Sequence, residues 1–199
     1  MSIWQRIEQS RERWNVLRHP FYRRWSAGEL TRGELARYSG QYRHAVEAIA
    51  AVSEAAADAA PNRPALRAHA AEEREHVALW DRFMEAAGGT EDAPTPETRG
   101  CVGAWTAGDD ALSHLIRLYA IESGQPEISL TKREGLVGRY GFEDGAGTEY
   151  FRVHQSRDLE HAAEARELIE GLATGADGDE LVAAAESAFR ANWRLLDSV

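Results

Sequence analysis

The chain contains a single cysteine, Cys101, in 199 residues. That excludes an internal disulfide and any zinc or iron–sulfur site built on paired thiolates. Long apolar runs are also missing. None approaches the ~20 residues needed to cross a bilayer, and the opening Met-Ser-Ile-Trp-Gln-Arg lacks the apolar stretch of a secretory signal. Positive charge is scarce: 23 Lys and Arg stand against 33 Asp and Glu, a net charge of −10. Nucleic acid and anionic membrane are therefore poor candidates as partners. A reducing cytoplasm is the expected setting. Alternating β-branched residues are absent, so strands are not expected either.

What remains is helix. Ala, Leu, Glu and Arg dominate, and apolar residues recur at helical spacing. Ile3, Ile7, Trp14 and Leu17 predict a first helix reaching about His19. Pro20 opens a short helix that Gly28 stops. Thr31 with Glu34 reads as a capping box for a long helix to about Ala60, which Pro61 and Pro64 end. The next helix runs from about Ala65 to Gly88-Gly89. Residues 88–100, with Pro94 and Pro96, read as a loop. Further helices are expected from Asp109 or Asp110 to about Gly124, from Pro126 to Tyr140, from about Thr148 to Gly171, and from Asp179 to about Leu196. The expectation is one all-α domain, residues 1–199, of about seven or eight helices. Six Trp residues, read as exposed, leave room for a homodimer.

The chemistry concentrates in H-Q-S-R-D-L-E-H, residues 154–161. His154, Asp158 and His161 sit at offsets of 0, 4 and 7, one stripe of a helix. Two imidazoles and a carboxylate on one face are a ligand set for a redox transition metal. Glu72 or Glu73 with His76 offers a second set, although three acids and two bases there also suit a solvated face. Glu122 lies in the apolar stretch Leu118-Tyr119-Ala120-Ile121, where an unpaired carboxylate would be costly. The other histidines, His19, His44, His69 and His114, read as ordinary core or surface residues.

Several motifs resemble a known family. H-P-F-Y-x-x-W at His19–Trp25 and G-E-L-T-x-x-x-L-x-x-Y at Gly28–Tyr38 are similar to the TenA/PqqC superfamily. So are Y-A-I-E-S-G-Q-P-E-I at Tyr119–Ile128, K-R-E-G-L-x-x-x-Y-G-F at Lys132–Phe142, and Y-F-x-V-H-x-x-x-D-x-x-H at Tyr150–His161. Together they resemble the CADD-like, folate-related branch of the heme-oxygenase-like di-metal oxidases. The resemblance implies a heme-oxygenase-like helical bundle and two non-heme metal ions, Fe/Fe or Fe/Mn, with O2 as co-substrate. It places the metal ligands at Glu72, His76, Glu122, His154, Asp158 and His161. The alignment favours Glu72, whereas i,i+3 spacing from His76 favours Glu73. Two departures stand out. Relatives place several residues between the Glu doublet and the His where this chain has only Arg74-Glu75. Ile49 and Ala50 replace an aromatic residue and a proline.

The branch is implicated in making para-aminobenzoate at the expense of the protein itself. A tyrosine supplies the ring, and a lysine is implicated as the amine source. These roles fall on Tyr22 and Lys132, with Tyr38 as a second site tyrosine. The resemblance thus implies an O2-dependent oxidoreductase with a self-derived substrate. Three alternatives stay open: a di-metal oxidase acting on an external small molecule such as an amino acid or fatty acid, a metal-free PqqC- or TenA-like enzyme, and a partner-binding protein.

Overall fold

The structure, a computed structural model, describes residues 1–199. It contains nine α-helices and no strand: α1 Ile3–Arg13, α2 Pro20–Ala27, α3 Arg32–Ala59, α4 Pro64–Ala87, α5 Pro96–Trp105, α6 Ala111–Glu122, α7 Gln125–Arg139, α8 Glu149–Leu172 and α9 Gly178–Leu196. One 3-10 turn, Val16–Arg18, separates α1 from α2. The all-α expectation holds. The helix α5 is the addition, inside and beyond the segment read as a loop. Thr95 accepts a hydrogen bond from the Thr98 amide, and Pro96 stands at the first helical position. The proline read as a breaker is a helix starter.

The other boundaries follow local chemistry. The Thr31 hydroxyl caps α3, and the Glu34 carboxylate accepts a 2.8 Å bond from the Thr31 amide. Both α2 and α4 end at glycines with left-handed backbone, Gly28 at φ 75° and Gly88 at φ 72°. No helix is long and apolar enough to cross a membrane.

Helix α3 runs through the middle and pairs along most of its length with α4, while α8 packs against α6, α7 and α4. The polar centre described below therefore lies between α4, α6 and α8. Its aromatic neighbour lies between α2, α3, α4 and α7. At Gly135 the helix α7 comes so close to α2 that a Cβ would collide with the Trp25 indole. Trp25 Nε1 donates to the Lys132 carbonyl at 3.2 Å. This close approach holds the helix bearing Lys132 against the helix bearing Tyr22. The tryptophans are not exposed as expected. Trp25, Trp80 and Trp105 are fully buried, and Trp4, Trp14 and Trp193 are partly buried against the core.

Candidate metal centre

Three helices each turn one chemically loaded stripe inward. On α8 the buried residues Tyr150, His154, Asp158, His161, Ala165 and Ile169 step by three or four along one face, with Phe151 buried beside them. On α4 they are Leu66, His69, Ala70, Glu73, His76, Trp80 and Phe83. On α6 the apolar residues Leu115, Ile116, Leu118 and Ile121 lead to Glu122, the last residue of the helix. Of the apolar residues around His154, Tyr150 and Phe151 face inward, whereas Leu159 is 62% exposed.

These stripes bring seven side chains together: His69, Glu73, His76, Glu122, His154, Asp158 and His161, none more than 8% exposed. Their potential ligand atoms form three overlapping groups, each with atoms within 4.8 Å of one another: Glu73, His76 and His154; Glu73, Asp158 and His161; His69, Glu122 and His161. Glu73 therefore sits between two ends of an elongated cluster. Five of the six residues expected as ligands meet here.

The sixth, Glu72, does not. It lies on the rim with a side chain 35% exposed, and Arg157 donates to both its oxygens at 2.7 Å. Its Oε2 is 3.4 Å from His161 Nε2, so it is placed to orient that ring from outside. The interior carboxylate is Glu73. The reason is helical phase: positions 69, 73, 76, 80 and 83 share the buried face of α4, and 72 lies off it. Helix α4 runs unbroken from Pro64 to Ala87, so that phase decides. His69, read as an ordinary histidine, belongs to the cluster. Its offsets of four and seven from Glu73 and His76 were the available signal.

Several buried polar atoms here have no hydrogen-bond partner: His69 Nε2, both Glu122 oxygens, His154 Nε2, both Asp158 oxygens and His161 Nδ1. Such groups cost roughly 1–3 kcal/mol each when left unmade. His69 Nε2 and Glu122 Oε1 are 2.9 Å apart, yet neither atom has a hydrogen-bond partner. The rest of the geometry shows how the donors are set. His154 Nδ1 donates to the Tyr150 carbonyl at 2.7 Å, which fixes the tautomer and leaves the Nε2 lone pair facing the cluster. Imidazole nitrogens and carboxylates converging without partners are a donor set for a transition metal such as iron, and these residues fit one.

Burial and neighbouring charge divide the acids. Burial, with Glu122 and Glu73 nearby, pushes the Asp158 carboxyl well above its usual range. Burial also raises Glu122, with His69 opposing it. Glu73 is desolvated too, but the imidazoles of His154, His69 and His76 around it, the last hydrogen-bonded to it at 3.1 Å, outweigh burial and hold the carboxyl well below normal.

Alongside lies an aromatic chamber. The Tyr22 and Tyr38 hydroxyls are 3.3 Å apart, and burial raises both phenols well above the usual tyrosine value. Lys132 is completely buried and its amine has no hydrogen-bond partner. Its Nζ lies 4.5 Å from the Tyr42 ring, 5.7 Å from Tyr38 and 6.0 Å from Tyr22. Burial pulls the amine down to about 7, with Asp158 opposing. Tyr150 stacks on His154 with ring centroids 3.9 Å apart, Trp80 lies 4.9 Å from Tyr150, and Tyr38 lies 6.0 Å from Trp80. A continuous run of rings thus joins the cluster to Tyr22.

A helical bundle with a buried imidazole–carboxylate centre defines a class, and sequence comparison agrees. Residues 67–193 match the family of iron-containing redox enzymes, to which the chain belongs. The chain is 33% identical to the 4-aminobenzoate synthase of Nitrosomonas europaea, over 97% of its own length and 87% of the relative's. It is 30% identical to the 4-aminobenzoate synthase of Chlamydia trachomatis, over 92% and 86% of the two lengths. The fold is heme-oxygenase-like. A TenA homologue from Pseudomonas syringae superimposes with a TM-score of 0.83, covering 98% of this chain and 91% of that one at 17% identity.

Proposed function

We propose that the chain is an O2-dependent di-metal oxidoreductase that forms 4-aminobenzoate from its own Tyr22, with Lys132 as amine source. The observation that carries this reading is the burial of Lys132, Tyr22 and Tyr38 together, with a run of rings connecting them to the buried cluster. A self-derived substrate needs no entrance, and every one of these groups is buried. The named activity of the relatives points the same way.

Glu73, His76, Glu122, His154, Asp158 and His161 would hold two iron ions, or one iron and one manganese. When bound, the ions supply the electrons that activate dioxygen, which side chains cannot do alone. The protein's own groups do the rest. Desolvation keeps the Tyr22 and Tyr38 phenols protonated, so removing an electron from Tyr22 requires a proton acceptor. The Tyr38 hydroxyl, 3.3 Å away, is placed to exchange that proton. Lys132, lowered to about 7, is substantially uncharged near neutral pH and therefore nucleophilic. The surrounding rings of Tyr42, Trp80 and Phe151 exclude water from the amine.

The test is isotopic. Chain grown on ring-deuterated tyrosine, loaded with Fe(II) or with Fe(II) and Mn(II), then given reductant and air, should release deuterated 4-aminobenzoate. Product should stop at about one equivalent per chain, because the substrate is consumed with its protein. The peptide containing Tyr22 should lose the corresponding mass, and Tyr22→Phe should release nothing. Repeated turnover with Tyr22 intact would contradict the reading and point to an external substrate.

A further inference from the structure

We infer that His69 is itself a metal ligand, so that each of the two ions is held by two imidazoles. The inference deepens the proposed function and rests on it. His69 lies on the buried stripe of α4, four residues before Glu73 and seven before His76. Its ring is 3.9 Å, centre to centre, from that of His161 on α8. Its Nε2 is 2.9 Å from Glu122 Oε1 and 3.7 Å from Glu73 Oε1.

The donors divide into two ends. His76 and His154 stand with Glu73 at one, and His69 and His161 stand with Glu122 at the other. Glu73 and Asp158 connect them through the third group, which they form with His161. Leaving His69 out gives an unequal pair of sites, one with two imidazoles and one with His161 alone. The absence of hydrogen-bond partners at these atoms fits a ligand role. Both Glu122 oxygens and His69 Nε2 are buried and unpartnered despite their closeness. Atoms that meet without bonding each other, in a cluster of other unpartnered donors, face a common acceptor of lone pairs. Two divalent ions bring four positive charges, which the three carboxylates do not exceed. A fourth neutral imidazole therefore completes the coordination without adding charge.

The alternative is a protonated His69 acting as counter-ion to Glu122 and Glu73. Three variants separate the two: His69→Ala, His69→Gln and His69→Glu, each checked for helix content by circular dichroism and titrated anaerobically with Mn(II). Elemental analysis and nitrogen couplings in the spin-echo spectrum are the readouts, neither of which depends on turnover. A ligand role predicts two ions in the wild type and about one in His69→Ala and His69→Gln. The second ion should weaken by more than the roughly 10–100-fold expected on losing an outer partner. His69→Glu, which restores a donor, should recover two ions. If His69→Ala keeps two ions with unchanged affinity and nitrogen couplings, His69 is no ligand and the proposed function still stands. If His69→Glu binds worst of all, the counter-ion role is correct and the inference fails. If the wild type takes up no Mn(II), the inference and the di-metal reading fall together.

Discussion

The interior has two unlike halves. The aromatic half is nearly self-sufficient: Trp25, Trp80 and Trp105 all donate their indole N–H to backbone carbonyls, of Lys132, Ser39 and Ala188. The polar half, between α4, α6 and α8, leaves seven side-chain atoms without partners. A folded chain keeps buried polar groups paired, so a half that does not is built for something the chain does not supply. The exceptions in the aromatic half are as telling. The Lys132 amine and the Tyr150 hydroxyl are unpartnered there, as are Gln125 Oε1 and Ser129 Oγ on α7; the amine adjoins the tyrosines, and Tyr150 stacks on a cluster imidazole. Stability is concentrated in one half and chemistry in the other, with Lys132 and Tyr150 as chemistry placed among the stabilising rings.

The comparison can be broken most severely from the aromatic side. Trp80→Ala removes a fully buried ring that packs on Tyr42, Phe83, Tyr150 and Phe151. It should cost about 3–5 kcal/mol with or without metal. Urea denaturation in the presence and absence of Mn(II) reads this, and a loss confined to the metal-bound form would merge the two halves.

Lys132→Met should act in the opposite direction. The amine is lowered to about 7 in the fold from an ordinary value of 10.5. Between those values the unfolded chain binds the proton and the folded chain does not, so wild-type stability rises with pH across that window. The penalty is fully present below pH 7 and gone above about 10.5. The variant should therefore be more stable by a few kcal/mol at or below pH 7, with the gain shrinking as pH rises. Denaturation midpoints from pH 6 to 10 check the slope, and parallel curves for wild type and variant would contradict it.

On the polar side, Asp158→Asn should leave the metal-free chain as stable as before or slightly more so, since it removes a costly buried acid. It should abolish the gain in stability from added metal, which reaches about 2.7 kcal/mol when free metal is 100-fold above the dissociation constant. Differential scanning calorimetry with and without Mn(II) separates the two effects. The smallest effect distinguishes neighbours on α4. Glu72→Gln should weaken metal binding by no more than roughly 10–100-fold, as expected for a group that only orients His161. Glu73→Gln should remove binding at both ends. Equal losses at the two positions would erase the distinction between rim and interior.

Much of this was legible in the sequence. Thr31 with Glu34, Pro20 with Gly28, and Gly88 mark helix ends through chemistry that acts within a few residues. The stripe of His154, Asp158 and His161 could be read because it repeats at helical spacing within eight residues, and Glu122 because a carboxylate in an apolar run demands a partner. The misreadings had physical causes. Helix α5 was hidden because Pro96 breaks a helix in its interior but starts one at its first position. The choice between Glu72 and Glu73 stayed open because only the folded phase of α4 shows that Glu73 faces inward while Glu72 lies on the rim. His69 shares helical spacing with Glu73 and His76, but that spacing takes on meaning only when α6 and α8 bring Glu122 and His161 to it.

The central claim is that the unpartnered half is a metal centre. The most direct measurement is elemental analysis of full-length chain purified, without chelator, from cells supplied with iron and manganese. The account predicts about two iron or manganese atoms per chain, as in helical-bundle carboxylate centres, and their loss in Asp158→Asn. A folded chain that carries no metal under any of these growth conditions would contradict it.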